Sequence, residues 1–291
     1  MPPRLAYMDI PPPAPTAGVY TRIMRFELHC HSTFSDGAEP PDQVAARAAA
    51  RGVEVFALTD HDTCEGAGVT VPGARVLRGV EISCDDHGRT IHVLAYDRGG
   101  AWGPLEARLA GVRTARVNRL RVMAARLQQR GITIDIERLI AQAGARAVGR
   151  PDLARAMVDV GAVATMRDAF TRHLYDGGPI DVPNEALPLT EALALGREAN
   201  AAMALAHPHL YEDRAHRLFR DHQADGLTGI EAWSGVYDAR ERGRWTQLAD
   251  QRGLVCTAGS DWHGPGEAVT APGVDLPADR SAALLAWLEL A

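Results

Sequence analysis

Short apolar runs along this sequence repeatedly end in histidine or a carboxylate, and helix-like segments separate them. RFELHCH runs into His29 and His31, with Asp36 five residues further on. VEVFALTDHD ends at His61, ARVLRGVEIS near Glu81, AAMALAHPH at His207, and LVCTAGSDWHG at Asp261 and His263. TIHVLAYD carries His92 near its start instead. Side chains alternate faces along a strand, so Phe26, Leu28 and Cys30 share one face while Glu27, His29 and His31 share the other. One face joins a core and the two imidazoles converge on a point. PPDQVAARAAARG, TEALALGREAN and DARERGRWTQLADQRG read as intervening helices, the first with proline at its start and Gly52 as its stop. LTGIEAWS reads as a further strand. Repeated β-then-α units predict a parallel sheet, closed or nearly closed. In α/β barrels the C-terminal strand ends meet on one rim, where active sites form.

Composition narrows the class. The chain has 291 residues, enough for one large α/β domain with an insertion. A net charge of −6 gives no sign of a nucleic-acid coat or a membrane-surface protein. Four cysteines without a CxxC pair argue against a disulfide-stapled secreted scaffold, and a cytoplasmic location is expected. No apolar run has the length of a transmembrane helix. Residues 1–24 are rich in proline, lack a signal-peptide apolar region, and read as a poorly ordered extension. All 31 basic residues are arginine, so protein contacts to phosphate must come from arginine or backbone N–H groups. Residues 25–100 and 190–291 carry the strand–helix pattern. Residues 101–189 read instead as an inserted helical subdomain, with helices broken at glycines. Between positions 101 and 175 there are 13 arginines against six acidic residues, which predicts a basic face.

His29, His31, Asp36, His61, Glu81, His92, His207, Asp261 and His263 make nine nitrogen and oxygen ligands, enough for two or three divalent ions sharing a carboxylate. Imidazole with carboxylate suits Zn²⁺, Mn²⁺ or Fe²⁺, and the lack of thiolates at these positions argues against a structural cysteine–zinc site. Ser32, Ser35, Asp60 and Asp62 flank these positions and are expected to cap or support ligands.

HCH with Asp36, LTDHD, GVEIS, His92, AHP and GSDWH, in that order, resemble the PHP family, named for polymerase and histidinol phosphatase domains. The resemblance covers about 25–100 and 190–265 and implies a distorted (β/α)7 barrel with a two- or three-metal centre at its mouth. It implies that His29, His31, Glu81 and Asp261 form one metal site. Glu81 would bridge to a second ion held by His61 and His92, with Asp36, His207 and His263 as remaining ligands. VGRPDLARAMVDVGAV and FTRHLYDGGPIDVP are similar to the branch containing 3′,5′-nucleoside bisphosphate phosphatases and 5′→3′ exoribonucleases. That likeness assigns Arg150 to a substrate phosphate and places Arg116 and Arg119 on a helix facing the pocket. Asp152, Gly178 and Asp181 depart from the branch pattern. The expected activity is hydrolysis of a phosphate monoester on a small phosphorylated molecule, by a hydroxide shared between two ions. A nucleoside 3′,5′-bisphosphate or the 5′ end of a short RNA is the expected substrate. A cyclic sugar-phosphate phosphodiesterase and a noncatalytic PHP interaction module are the alternatives.

Overall fold

The computed structural model describes residues 22–144, 146, 148–183, 186–266 and 269–290. The expected extension therefore lies largely outside the described residues, and Met24 already belongs to a strand. β1 (Met24–Glu27) buries Phe26, and α1 (Pro41–Ala50) follows with Pro41 in its first turn and Val44, Ala45 and Ala48 buried. β2 (Val55–Leu58) lies parallel to β1, and β3 (Arg75–Asp86) parallel to β2. β4 (Arg89–Asp97) then returns antiparallel to β3. The connection is a two-residue turn in which His87 and Gly88 both take positive φ, 53° and 78°, the conformation that suits a tight hairpin.

A long helix, α2 (Gly103–Gln128), leaves the sheet and leads through α3 (Ile136–Ala143), α4 (Arg150–Asp159) and α5 (Met166–Arg172). The chain regains the sheet at β5 (Leu187–Pro188) and continues with α6 (Leu189–Glu198) and β6 (Ala201–Leu205). α7 (Asp213–His222), β7 (Leu227–Ser234), α8 (Ala239–Arg252) and β8 (Val255–Gly259) extend the pattern. β9 (Val274–Leu276) and α9 (Ala278–Trp287) end it.

The sheet order is β8-β7-β6-β4-β3-β2-β1-β9. Beyond the ends of β1 and β8 the two chain segments pair directly. Leu28 donates its N–H to the Ala258 carbonyl at 3.1 Å, Asp261 to His29 at 2.7 Å, and His31 to Trp262 at 2.9 Å. These bonds close the barrel at the rim that carries His29, His31 and Asp261. The expected nearly closed sheet is present, and its parallel order is corrected at two strands: β4 is antiparallel to both β3 and β6, and β9 is antiparallel to β1. A two-residue turn can only join antiparallel neighbours, because a parallel return needs a crossover of a dozen residues or more.

Apolar faces gather in separate clusters. One joins β3, β4, β6 and β7 to α6, α7 and α8; another gathers residues of β1, β2, β4, β6 and β9 under Leu284 and Leu285 of α9. A third belongs to the helical insertion and includes Leu120, Met123, Leu127, Leu153, Met157, Leu174 and Ile180. α2 connects two of them: Leu105, Leu109 and Val112 join the barrel cluster, and its last turns join the insertion cluster. At 1.5 Å per residue this helix is roughly 39 Å long, which lets one rigid rod carry side chains past the barrel mouth.

Candidate metal centre

The hairpin explains the one ligand candidate that broke the sequence pattern. His92 sits near the start of β4, but β4 runs backwards, so its start meets the rim where the parallel strands end. Register places Ser83 opposite His92, and His61 bridges to Glu81. The structure brings all nine candidates, His29, His31, Asp36, His61, Glu81, His92, His207, Asp261 and His263, into one continuous cluster.

Glu81 is its hub and is 1% exposed. One carboxylate oxygen, Oε2, lies 3.3 Å from His29 Nε2, 3.2 Å from His31 Nε2 and 3.1 Å from His61 Nδ1. The other, Oε1, lies 3.0 Å from His92 Nδ1 and 2.9 Å from His207 Nε2. Asp261 Oδ1 adds 3.3 Å to His29 Nε2 and 3.4 Å to His31 Nε2. Asp36 lies further out, 3.4 Å from His263 Nε2 and 3.7 Å from His61 Nε2.

These atoms fit a metal better than they fit each other. His29 Nε2, His31 Nε2, His61 Nδ1 and Glu81 Oε2 are all buried without a hydrogen-bond partner. Leaving such groups unsatisfied costs about 1–3 kcal/mol each, and more when charged. Ligands held about 2.1 Å from one ion stand about 3.0 Å apart at octahedral edges and 3.4 Å at tetrahedral ones. The spacings from Glu81 Oε2 to its three imidazoles and from Asp261 Oδ1 to His29 and His31, 3.1–3.4 Å, fall in that interval. A neutral imidazole has one lone pair, so His61, with Nδ1 toward Glu81 and Nε2 toward Asp36, can serve one ion at a time.

Charge follows the same geometry. Burial opposes ionisation of Glu81, yet the imidazoles of His61, His29 and His92 hold its carboxyl well below the usual range. Burial likewise opposes a proton on His29, but Glu231, Asp261 and Glu81 together raise it well above an ordinary imidazole. His31, also working against burial, is raised to about 10 by the carboxylates of Asp261 and Glu81 beside it. His61 is lowered to about 4, mainly by burial, and stands neutral near pH 7. The metal-free centre thus holds a proton at His31 where an ion would take its place.

Buried polar groups brace the cluster. Asp60 accepts from the Ser32 N–H at 2.7 Å and from the Ser32 and Ser35 hydroxyls, and Ser35 Oγ lies 3.3 Å from His31 Nδ1. Glu27, fully buried, accepts from the N–H groups of His29, Ser260 and Gly273. Glu231 lies 3.1 Å from His29 Nδ1. His263 Nδ1 donates to the Asp261 carbonyl at 2.9 Å. Asp62, His207 and Asp261 all take positive φ, 54°, 27° and 56°. Such backbone strain in residues other than glycine is characteristic of functional sites. Sequence reading placed Glu27 on the ligand face without giving it a role, and overlooked Glu231. The available signal was a carboxylate on the inward face of an otherwise apolar strand, since charged residues are rarely buried without a partner.

A cleft of about 510 Å³ leads away from Asp36, His61 and His92 toward Arg116, Arg119, Arg146, Arg150 and Arg155. The three arginines expected to meet substrate all line it, and each is already engaged. Arg116 pairs with buried Asp62, which also accepts from the Ser83 N–H at 2.7 Å. Arg119 pairs with Asp181 at 3.1 Å and donates to the Val182 carbonyl. Arg150 pairs with Asp176, whose side chain is 85% exposed. The departures Asp152 and Asp181 are not loose anions in the cleft. Asp152 accepts from Arg146 at 2.6 Å and from the Gly149 N–H at 2.8 Å, capping α4. Asp181 also accepts from the Gly177 N–H at 2.9 Å. At Gly178 an added Cβ would lie 2.8 Å from the Tyr175 ring and 2.9 Å from the Tyr175 carbonyl oxygen, so this loop leaves no room for a larger side chain there.

Residues 27–100 match the family model described as PHP domain. A 3′,5′-nucleoside bisphosphate phosphatase of Chromobacterium violaceum is 35% identical over 254 residues, 84% of this chain and 89% of the relative. A 5′-3′ exoribonuclease of Haemophilus influenzae is 32% identical over 83% of this chain and 90% of its own length. A solved structure from Bifidobacterium adolescentis, assigned as a metal-dependent phosphoesterase, superposes with a TM-score of 0.73. It is 28% identical, over 90% of this chain and 96% of that one.

Proposed function

This chain belongs to the PHP family, and we propose that it is a metal-dependent phosphoesterase that hydrolyses a phosphate monoester of a small phosphorylated molecule. A nucleoside 3′,5′-bisphosphate, or the 5′ end of a short RNA, is the substrate this reading favours. The observation that carries it is the arginine-lined cleft opening directly onto a buried cluster of unpartnered imidazole and carboxylate atoms.

His29, His31, Glu81 and Asp261 would hold one ion, and Glu81 with His61, His92 and His207 a second. Asp36 and His263 offer ligands for a third. Mn²⁺, Zn²⁺ and Fe²⁺ all suit this donor set. When bound, such ions supply an activated water nucleophile and neutralise charge on the phosphoryl oxygens. The chain's own part is orientation. Of the three arginines expected to meet substrate, Arg150 is the most open to exchange, because its partner Asp176 is largely in water, where ion pairs contribute little. A phosphate can take its guanidinium in a bidentate grip. Arg116 and Arg119 are held facing the cleft by Asp62 and Asp181 and add positive potential there. Residues 101–189 thus act as a substrate-binding subdomain. Among the described residues no helix is long and apolar enough to cross a membrane. The four cysteines are unpaired, which supports a reducing, cytoplasmic setting.

The test is phosphate release from adenosine 3′,5′-bisphosphate by Mn²⁺-loaded protein, with AMP measured as product. Turnover that disappears in Glu81→Gln supports the reading. Protein that binds two or more ions per chain yet releases no phosphate rejects this substrate and moves attention to cyclic or less charged phosphate esters.

A further inference from the structure

We infer that Glu231 is a positioning residue for the metal centre, fixing which ring nitrogen His29 presents and holding the strained backbone of His207. The inference rests on the reading of the cluster as a metal site.

Glu231 is fully buried in β7, and a buried carboxylate is costly unless it is paired and hydrogen-bonded. It does not belong to any of the groups whose ligand atoms converge. Its two oxygens instead serve two residues that do. Oε1 lies 3.1 Å from His29 Nδ1, and Oε2 accepts the His207 N–H at 2.7 Å. An ionised carboxylate only accepts, so Nδ1 of His29 must carry the proton. The lone pair that remains is on Nε2, the atom aimed at Glu81 and Asp261 without a hydrogen-bond partner. His207 has φ 27°, a conformation that a residue other than glycine rarely adopts unless its surroundings hold it there. The bond to Glu231 pins its N–H while its Nε2 reaches Glu81 at 2.9 Å. One side chain thereby ties the β1 side of the rim to the β6 side. Register between β7 and β8 slips directly after Glu231, an irregularity of the kind that re-aims a side chain near a site.

Glu231→Gln is the discriminating variant. Glutamine has one oxygen. If that oxygen serves the His207 N–H, the amide NH₂ faces His29 Nδ1 and turns the ring into the tautomer protonated at Nε2. If it serves His29, the NH₂ meets the His207 N–H. Zn²⁺ affinity of the full chain, measured by chelator competition, is expected to fall about ten- to hundredfold. A second measurement needs no variant. In Zn²⁺-loaded wild-type protein, ¹⁵N correlation spectra of the imidazoles, with His29 identified through His29→Ala, should show Nδ1 protonated and Nε2 as the metal-bound nitrogen. An unprotonated Nδ1, or a folded Glu231→Gln that binds Zn²⁺ within about threefold of wild type, overturns this inference alone. If the variant fails to fold, the wild-type spectrum decides. Wild-type protein that takes up no Zn²⁺ overturns the metal-centre reading and this inference with it.

Discussion

Asp62 joins the barrel to the helical insertion, and its replacement gives a sharp energetic test. The side chain is wholly buried. One oxygen accepts the Ser83 N–H at 2.7 Å, the other pairs with Arg116 of α2, and the Asp62 carbonyl accepts from Arg113 at 2.7 Å. Asp62→Asn keeps an acceptor for Ser83 and removes the charge that holds Arg116. A hydrogen bond to a charged group contributes about 1.5–3 kcal/mol, so a loss of about 2 kcal/mol is expected. Asp62→Ala also orphans the buried Ser83 N–H and leaves Arg116, whose side chain is only 16% exposed, without its partner. The expected loss is then about 3–5 kcal/mol. Urea unfolding of both variants, of Arg116→Met and of Asp62→Ala with Arg116→Met measures the coupling. The double variant should be less destabilised than the sum of the singles by at least about 1 kcal/mol, because removing the guanidinium removes the unpaired charge. Additive effects, or an Asp62→Ala loss under about 0.5 kcal/mol, would refute the claim that this pair docks α2 against the loop that follows β2.

Four further outcomes are expected. Zn²⁺ or Mn²⁺ added to metal-free protein at pH 7 should release protons, since His31, raised to about 10, carries one there; calorimetry in two buffers of different ionisation enthalpy would expose a release of zero. His31, raised from 6.5 to about 10, stabilises the metal-free fold fully below pH 6.5, and that contribution is lost as pH rises toward 10. Metal-free protein should therefore lose melting temperature across that window, and a flat profile would count against the assignment. Stripping metal with a chelator should lower stability by about 2.7 kcal/mol relative to protein holding one ion at a hundred times its Kd, read as a shift in melting temperature. Arg150→Met should raise KM about tenfold or more with kcat changed far less, whereas an equal loss in kcat and kcat/KM, with KM unchanged, would show that Arg150 acts only in the transition state.

Much of this centre was legible because ligands must be histidine, aspartate or glutamate and strands deliver them to one rim. The period of two in FELHCH already puts His29 and His31 on one face with Glu27. His61, Glu81, His207, Asp261 and His263 each follow an apolar run, so residue type and position agreed before any contact was known. His92 fitted badly because a strand's direction is not written in its own residues. It is set by the two-residue turn at His87 and Gly88 and by pairing with β6, which together bring the start of β4 to the shared rim. The arginines show the opposite limit. Composition announced a basic insertion, but only tertiary contacts decided that Asp62, Asp181, Asp152 and Asp176 would engage Arg116, Arg119, Arg146 and Arg150. Sequence alone determined which side chains could serve a divalent ion, because few residue types can bind one and local periodicity aims them. Tertiary structure decided strand direction, the buried braces at Glu27 and Glu231, and the charge of the cleft, because each depends on partners far away in the chain.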